Sequence, residues 1–235
     1  MTGLGFAIGV MRDAGVFRPS GLMYSPPQFD EKDETVLRAL IEAHPLGLLI
    51  STAGSDALAN PVPFLVSVTD GVTWLRTHVS KANPQWRHIE DGANVLVVFQ
   101  GAGSYVTPSW YASKAEHGKV VPTWNYAMVQ ARGSATVHKG PDWLGQQVGE
   151  LTERHEAERA EAWKVEDAPG AFVAAQLRGI VGIEISVREL TGKWKVSQNR
   201  PEADRRGVYA GLAEQGDDDM AGLVAHYGGL TGTEE

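Results

Sequence analysis

The residues best placed to hold an anion lie in RTHVSKANPQW, residues 76–86. The run opens as a strand and ends at Asn83-Pro84, which reads as a helix start. Asn83 would supply the capping oxygen and Pro84 the first helical position. Ser80 and Lys81 then stand beside a helix N-terminus, where free N–H groups and the dipole favour negative charge. A hydroxyl and an ammonium there suit a phosphate; a capped surface helix with a solvated lysine accounts for the same residues. His78, in the same run, offers an imidazole for metal ligation or for a hydrogen bond inside the fold.

Two further stretches, SYVTPSWYASK (104–114) and VPTWNY (121–126), carry Tyr105, Trp110, Tyr111, Trp124 and Tyr126. Aromatics in strands commonly build core. Here serine, threonine and asparagine are interleaved with them, a pattern suited to a flat heteroaromatic ligand that needs stacking and a few hydrogen bonds. GKWKVSQNR (192–200) holds Lys193, Lys195 and Arg200, the densest basic cluster of the chain. A basic loop is usually solvated, but one that ends a strand can also reach a ligand phosphate. No Walker loop, strand–GxGxxG–helix unit or HExxH motif is present, and no paired carboxylates fall within the aromatic stretches. The sequence therefore names no catalytic acid or base. His44, His88, His117, His138, His155 and His226 are scattered.

The elements that must position these residues are mostly strands. Asp30 is placed to cap a helix after Phe29, with Val36, Leu37, Leu40 and Ile41 at helical spacing and His44-Pro45 as its stop. LGLLIST reads as a buried strand closed by the turn AGSD. VPFLVSV and VTWLRTHV flank Asp70-Gly71, a strong hairpin signal. NVLVVFQG, TWNYAMVQARGSATVHK and GIVGIEISVREL supply more strands, with Gly133 a bulge or bend. Six or more strands in local succession with few helices between them argue for an antiparallel barrel, a mainly β fold with peripheral helices. Residues 142–163 read as a surface helix carrying a Glu150–Arg154 pair. Two short helices should follow around Asp217–Asp219.

The 235 residues suffice for one compact domain, assigned to 23–235, with residues 1–22 a loose extension and Met23 the start of the folded unit. Without cysteine the chain can form no disulfide, thiolate nucleophile or iron–sulfur site, which fits the cytoplasm. A net charge of -8 opposes general attraction to nucleic acid, leaving DNA contact to a local patch such as Arg200, Arg205 and Arg206. No apolar run is long enough to span a membrane, and the first residues lack the marks of a signal peptide.

MYSPPQF, ANPVPF, SKANPQW, YVTPSWY, VPTWNY and GKWKVSQNR, in this order from Met23 to about Arg205, resemble the PaiB-type FMN-binding negative transcriptional regulators. The resemblance implies a flavin-binding split β-barrel related to pyridoxamine-phosphate oxidases, assembled as a homodimer with FMN at the interface. It implies phosphate contacts from Thr77, Ser80 and Lys81 at the corner that Asn83 caps. It extends to Trp110, Lys195, Ser197 and Gln198, in loops that vary more among split barrels. Relatives of the family also bind heme, among them enzymes that form a nitrogen–nitrogen bond, and His78 is the matching axial-ligand candidate. Three roles follow: an FMN-binding repressor, a flavin- or heme-dependent enzyme acting on a small molecule, or a barrel serving only as a dimeric interaction module.

Overall fold

The computed structural model of the chain describes residues 23–89 and 92–230; the extension assigned to residues 1–22 lies outside them. The strands are β1 (Asp30–Glu31), β2 (Leu46–Ala53), β3 (Asp56–Pro63), β4 (Leu65–Thr69), β5 (Val72–Ser80), β6 (Ala93–Val106), β7 (Thr123–His138) and β8 (Ile180–Lys195). They form one antiparallel sheet in the order β3-β2-β6-β7-β8-β5-β4, with β1 paired to β8. The two end strands β3 and β4 are consecutive in the chain. Thr77 of β5 donates from its hydroxyl to the Pro63 carbonyl at the end of β3 (2.6 Å), so the sheet curls back on itself. Inward residues alternate along β2, β5, β6 and β7, and Leu49, Leu75, Val97, Phe99, Val129, Ala131, Ile183 and Ile185 fill the interior with no exposed surface.

Local chemistry explains most boundaries. The turn between β4 and β5 places both Asp70 and Gly71 at positive φ (52° and 76°), matching the strand twist as the Asp-Gly pair predicts. Gly133 lies at the register shift of β7 against β8. A Cβ there would stand 2.3 Å from the Ser186 carbonyl oxygen, so the close approach requires glycine. VPFLVSV does not form one strand. Phe64 breaks it by turning into the core against Phe99 (ring centroids 5.6 Å), and the prolines of ANPVP fall in β3 at the sheet's edge, where missing N–H donors are tolerated.

The helices, including the short α2 (Gln85–His88) and α3 (Ser113–His117), pack outside. Helix α1 (Glu34–Ala43) is capped by Asp33, not Asp30: Asp33 accepts from the Thr35 N–H, while Asp30 belongs to β1. Helix α4 (Pro141–Glu156) ends earlier than its charge pattern suggests, and a further helix, α5 (Gly170–Arg178), leads into β8. Glu150 turns from Arg154 to Arg76 on β5, and Arg154 reaches Glu42 instead, at 3.9 Å. Beyond β8, α6 (Glu202–Glu214) and α7 (Asp218–Gly228) pack together, α7 being capped by Asp217.

Candidate functional site

Alternation along β5 divides the first group of candidates. Thr77 points inward, has no exposed surface and is held by the Pro63 carbonyl. His78 and Ser80 point to the other face. There His78 Nδ1 lies 2.7 Å from Gln147 Oε1 of α4, and Gln147 is itself fully buried. Ser80 and Lys81 are exposed where β5 ends.

The helix expected after them is only four residues long, α2 (Gln85–His88), so its dipole is negligible. The corner's N–H groups are also occupied. Lys81 N–H donates to the Gly179 carbonyl, Ala82 N–H to Ser80 Oγ and Gln85 N–H to Asn83 Oδ1. Asn83 closes this turn one residue earlier than the cap position read for it, and Pro84, read as the first helical residue, is the N-cap of α2. An anion here would meet side chains and not backbone. The Lys81 ammonium has one neutral acceptor, the Arg178 carbonyl. Trp86 donates its indole N–H to the Lys81 carbonyl, while Arg87 and Lys139 lie over its ring at 5.0 and 4.8 Å. Arg87 and Lys139 thus share one indole, which Lys81 meets only through its backbone carbonyl, and none of the three is ion-paired with a carboxylate among the described residues. Such a set fits a phosphate monoester. Buried Gln85 anchors this corner: its amide donates to Leu49 O and Ser51 Oγ and accepts from Asn60.

The second group lies at the far end of β8, some 50 Å from Ser80 along that 16-residue strand. Lys195 donates to Thr123 Oγ1 and to the Trp124 carbonyl, both at 2.5 Å. Burial, together with the charges of Lys193 and Arg200, holds its pKa below the ordinary lysine value. Ser197, buried and at φ 67°, shares hydrogen bonds with fully buried Asn125. Gln198 accepts from the Val196 N–H and donates to the Trp194 carbonyl, so its amide staples the turn. Arg200 lies over the Tyr111 ring at 4.6 Å; burial pushes the Tyr111 pKa up against the pull of that guanidinium.

Trp110 belongs to neither group. Its ring lies on α6, where a Cβ at Gly211 would approach the indole to 2.2 Å, and one at Gly207 would stand 1.9 Å from the Trp110 carbonyl oxygen. The tryptophan is an anchor for α6. Two larger recesses, of about 530 Å³ between α1 and α7 and about 420 Å³ beside α4, are lined by none of the nine residues the sequence singles out, and neither gathers several cations. Lys139, Arg178 and Gln147 were not foreseen. Gln147 reaches His78 of β5, Arg178 reaches Lys81 and Lys139 reaches Trp86, each from an element far along the chain, and nothing in the local sequence marks them.

Residues 23–189 match the family model described as "Putative FMN-binding domain". An uncharacterised protein of Emericella nidulans is 33% identical, over 83% of this chain and 92% of its own length. The protease synthase and sporulation protein PAI 2 of Bacillus subtilis is 29% identical, over 82% of this chain and 90% of its own. In structure, the chain is similar to an FAD and heme binding protein of Mycobacterium smegmatis (TM-score 0.51, 17% identity, 71% of this chain and 73% of the other). It is similar also to the flavocytochrome Anf3 of Azotobacter vinelandii (TM-score 0.50, 14% identity, 71% and 69%). The mainly antiparallel sheet with peripheral helices is a split β-barrel, the fold of these flavin-binding neighbours, and the chain belongs to the family of putative FMN-binding domains.

Proposed function

We propose that this chain is a flavoprotein that binds FMN as a homodimer and serves as a regulator of the PaiB type. The observation that carries the cofactor reading is the corner where Arg87 and Lys139 lie over the Trp86 indole, a few residues from the exposed Ser80 hydroxyl and Lys81 ammonium, without a carboxylate partner among the described residues. Three cations and a hydroxyl complement the two charges of a flavin phosphate. FMN, when bound, would supply redox chemistry through its ring system; the corner's side chains bind and orient its phosphate.

The homodimer reading is supported by an exposed apolar patch at the other end of the sheet. Tyr105, Val121 and Trp124 are 49%, 65% and 59% exposed, and the two rings meet edge to face at 6.2 Å. A second copy would cover such a patch. The regulator role rests on the family. The net charge of -8 makes a partner protein, and not DNA alone, the expected route to any operator.

One observation favours a second cofactor. With Nδ1 of His78 donating to Gln147 Oε1, the free ring nitrogen is Nε2, the arrangement typical of metal-ligating histidines. Heme is therefore the alternative to FMN, and a heme- or flavin-dependent enzyme the alternative to a regulator.

An absorption spectrum of the purified protein after separate additions of FMN and hemin tests the choice. Flavin bands retained through gel filtration at one per subunit, in a particle of twice the chain's mass, support the reading. A shifted Soret band without flavin uptake, abolished by His78→Ala, replaces FMN with heme. A gel-shift that weakens steeply with salt would show direct DNA contact.

A further inference from the structure

We propose that the recess between α1 and α7 binds a small apolar amine, a hydrophobic body carrying one protonated nitrogen. That such a ligand acts as the effector of a regulator rests on the function proposed above; the site itself does not.

The first observation is how the space is made. The register of β6 against β7 shifts between Gln100 and Gly103, so Gly101 and Ala102 together stand opposite the single residue Ala127. This is a β-bulge, a device that bends a strand and recurs beside binding and active sites. All three of its residues are small, and all three line the recess of about 530 Å³. A Cβ at Gly101 would stand 3.1 Å from Leu40 Cδ1 and 3.5 Å from His44 Nε2, two residues that line the same space. Ala39 and Ala43 keep the α1 wall equally short. Small-molecule sites have volumes of roughly 300–1,000 Å³, so the recess is large enough for one. None of the residues assigned to the flavin lines it.

The second observation is what faces the space. The walls are apolar: Leu40 of α1, Leu223 of α7, and the rings of Trp194 and Tyr227, whose centres are 6.3 Å apart. The Tyr227 hydroxyl is taken by Glu31, so this residue offers its ring and not a donor. The rim is polar. Asp219, His44 and His226 are exposed there, and their side chains have no hydrogen-bond or ion-pair partner among the described residues. Asp219 is the single carboxylate lining the recess, and no lysine or arginine lines it, among the described residues. A ligand ammonium at the rim would pair with Asp219 and donate to an imidazole nitrogen. Its apolar body would cover the rings below, whose faces also attract a cation. An anion would meet Asp219 with no cation to balance it. So seated, the ligand bridges the first and last α-helices of the described chain, beside the Tyr227–Glu31 hydrogen bond.

The test is calorimetric titration of the full chain with octylamine, octanol and octanoate, each below its aggregation concentration. The three share one apolar chain and differ in head-group charge. The amine should bind saturably at one per chain, with the alcohol about fivefold weaker, the upper end for an exposed ion pair, and the acid weaker still. Asp219→Asn should remove the preference for amine over alcohol. Asp217, not Asp219, caps α7, so this variant keeps its fold. Ala39→Phe fills the recess from an exposed position of α1 and should weaken amine and alcohol about tenfold or more. No saturable binding of the amine, equal binding of amine and acid, or a preference that survives Asp219→Asn overturns the site. Unchanged affinity in a folded Ala39→Phe protein does the same. Displacement of the amine by FMN also overturns it, since the recess would then belong to the flavin. If the parent takes up no FMN but the amine binds with this pattern, the flavoprotein reading fails and the amine site stands.

Discussion

Two glycines in the C-terminal helices should respond oppositely to the same substitution. Alanine is favoured over glycine inside a helix by about 1 kcal/mol. Gly222 in α7 is exposed, and an added Cβ would meet nothing within 4 Å, so Gly222→Ala should stabilise by about 0.5–1 kcal/mol. At Gly211 the same Cβ would stand 2.2–2.4 Å from three atoms of the Trp110 indole, so the ring or α6 must shift by more than an ångström. Overpacking of that kind costs about 1–3 kcal/mol, or more against a stiff ring, and outweighs the propensity gain. With the upper part of that range, about 2–3 kcal/mol, for a stiff ring, the net for Gly211→Ala is about 1–2 kcal/mol of destabilisation. Urea unfolding of both variants, with equal m-values, measures the difference. If Gly211→Ala gains stability as Gly222→Ala does, Trp110 is not docked on α6 and its part in ligand stacking reopens.

Three other outcomes follow from local chemistry. Tyr227 donates to Glu31 Oε2 at 2.6 Å, joining α7 to β1; burial first, and then Glu31, raise its pKa above the ordinary tyrosine value. Tyr227→Phe should cost about 1.5 kcal/mol in urea unfolding, and an unchanged midpoint would deny the link. The pKa of Lys195 is depressed in the fold, so the unfolded chain binds more protons there as pH climbs from that lowered value towards 10.5. This residue's contribution to stability therefore grows with rising pH in that window, and Lys195→Gln should flatten the profile relative to the parent. Parallel profiles would refute the depressed pKa. Asp33→Ala removes the Thr35 cap and should cost about 1 kcal/mol, whereas Asp30→Ala, at the residue first read as the cap, should cost α1 nothing.

Signals confined to a few neighbouring residues were legible. Asp70-Gly71 carries its own turn geometry, and Gly133 marks a bulge because no side chain fits against Ser186. What failed to read depended on residues far apart. The corner after Ser80 looked like a helix N-terminus, yet Gln85 turns it into a short anchored bend by reaching Leu49 and Ser51 on β2. Trp110 had the pattern of a stacking residue, and only Gly207 and Gly211, about a hundred positions later, reveal it as an anchor. Gln198 resembled a ligand contact but has both ends of its amide on its own turn. Lys195 was named from a basic cluster in the sequence; only the fold reveals that no carboxylate balances it among the described residues.

The central claim, a flavin phosphate at the end of β5, is tested most directly by titrating FMN into the parent protein and into Lys81→Ala while following flavin fluorescence. Loss of one charge-assisted contact at a solvent-exposed corner predicts a dissociation constant raised about 10–100-fold, with an unchanged melting temperature in the absence of FMN. Equal affinity in the two proteins would contradict the account and remove the corner from the cofactor site.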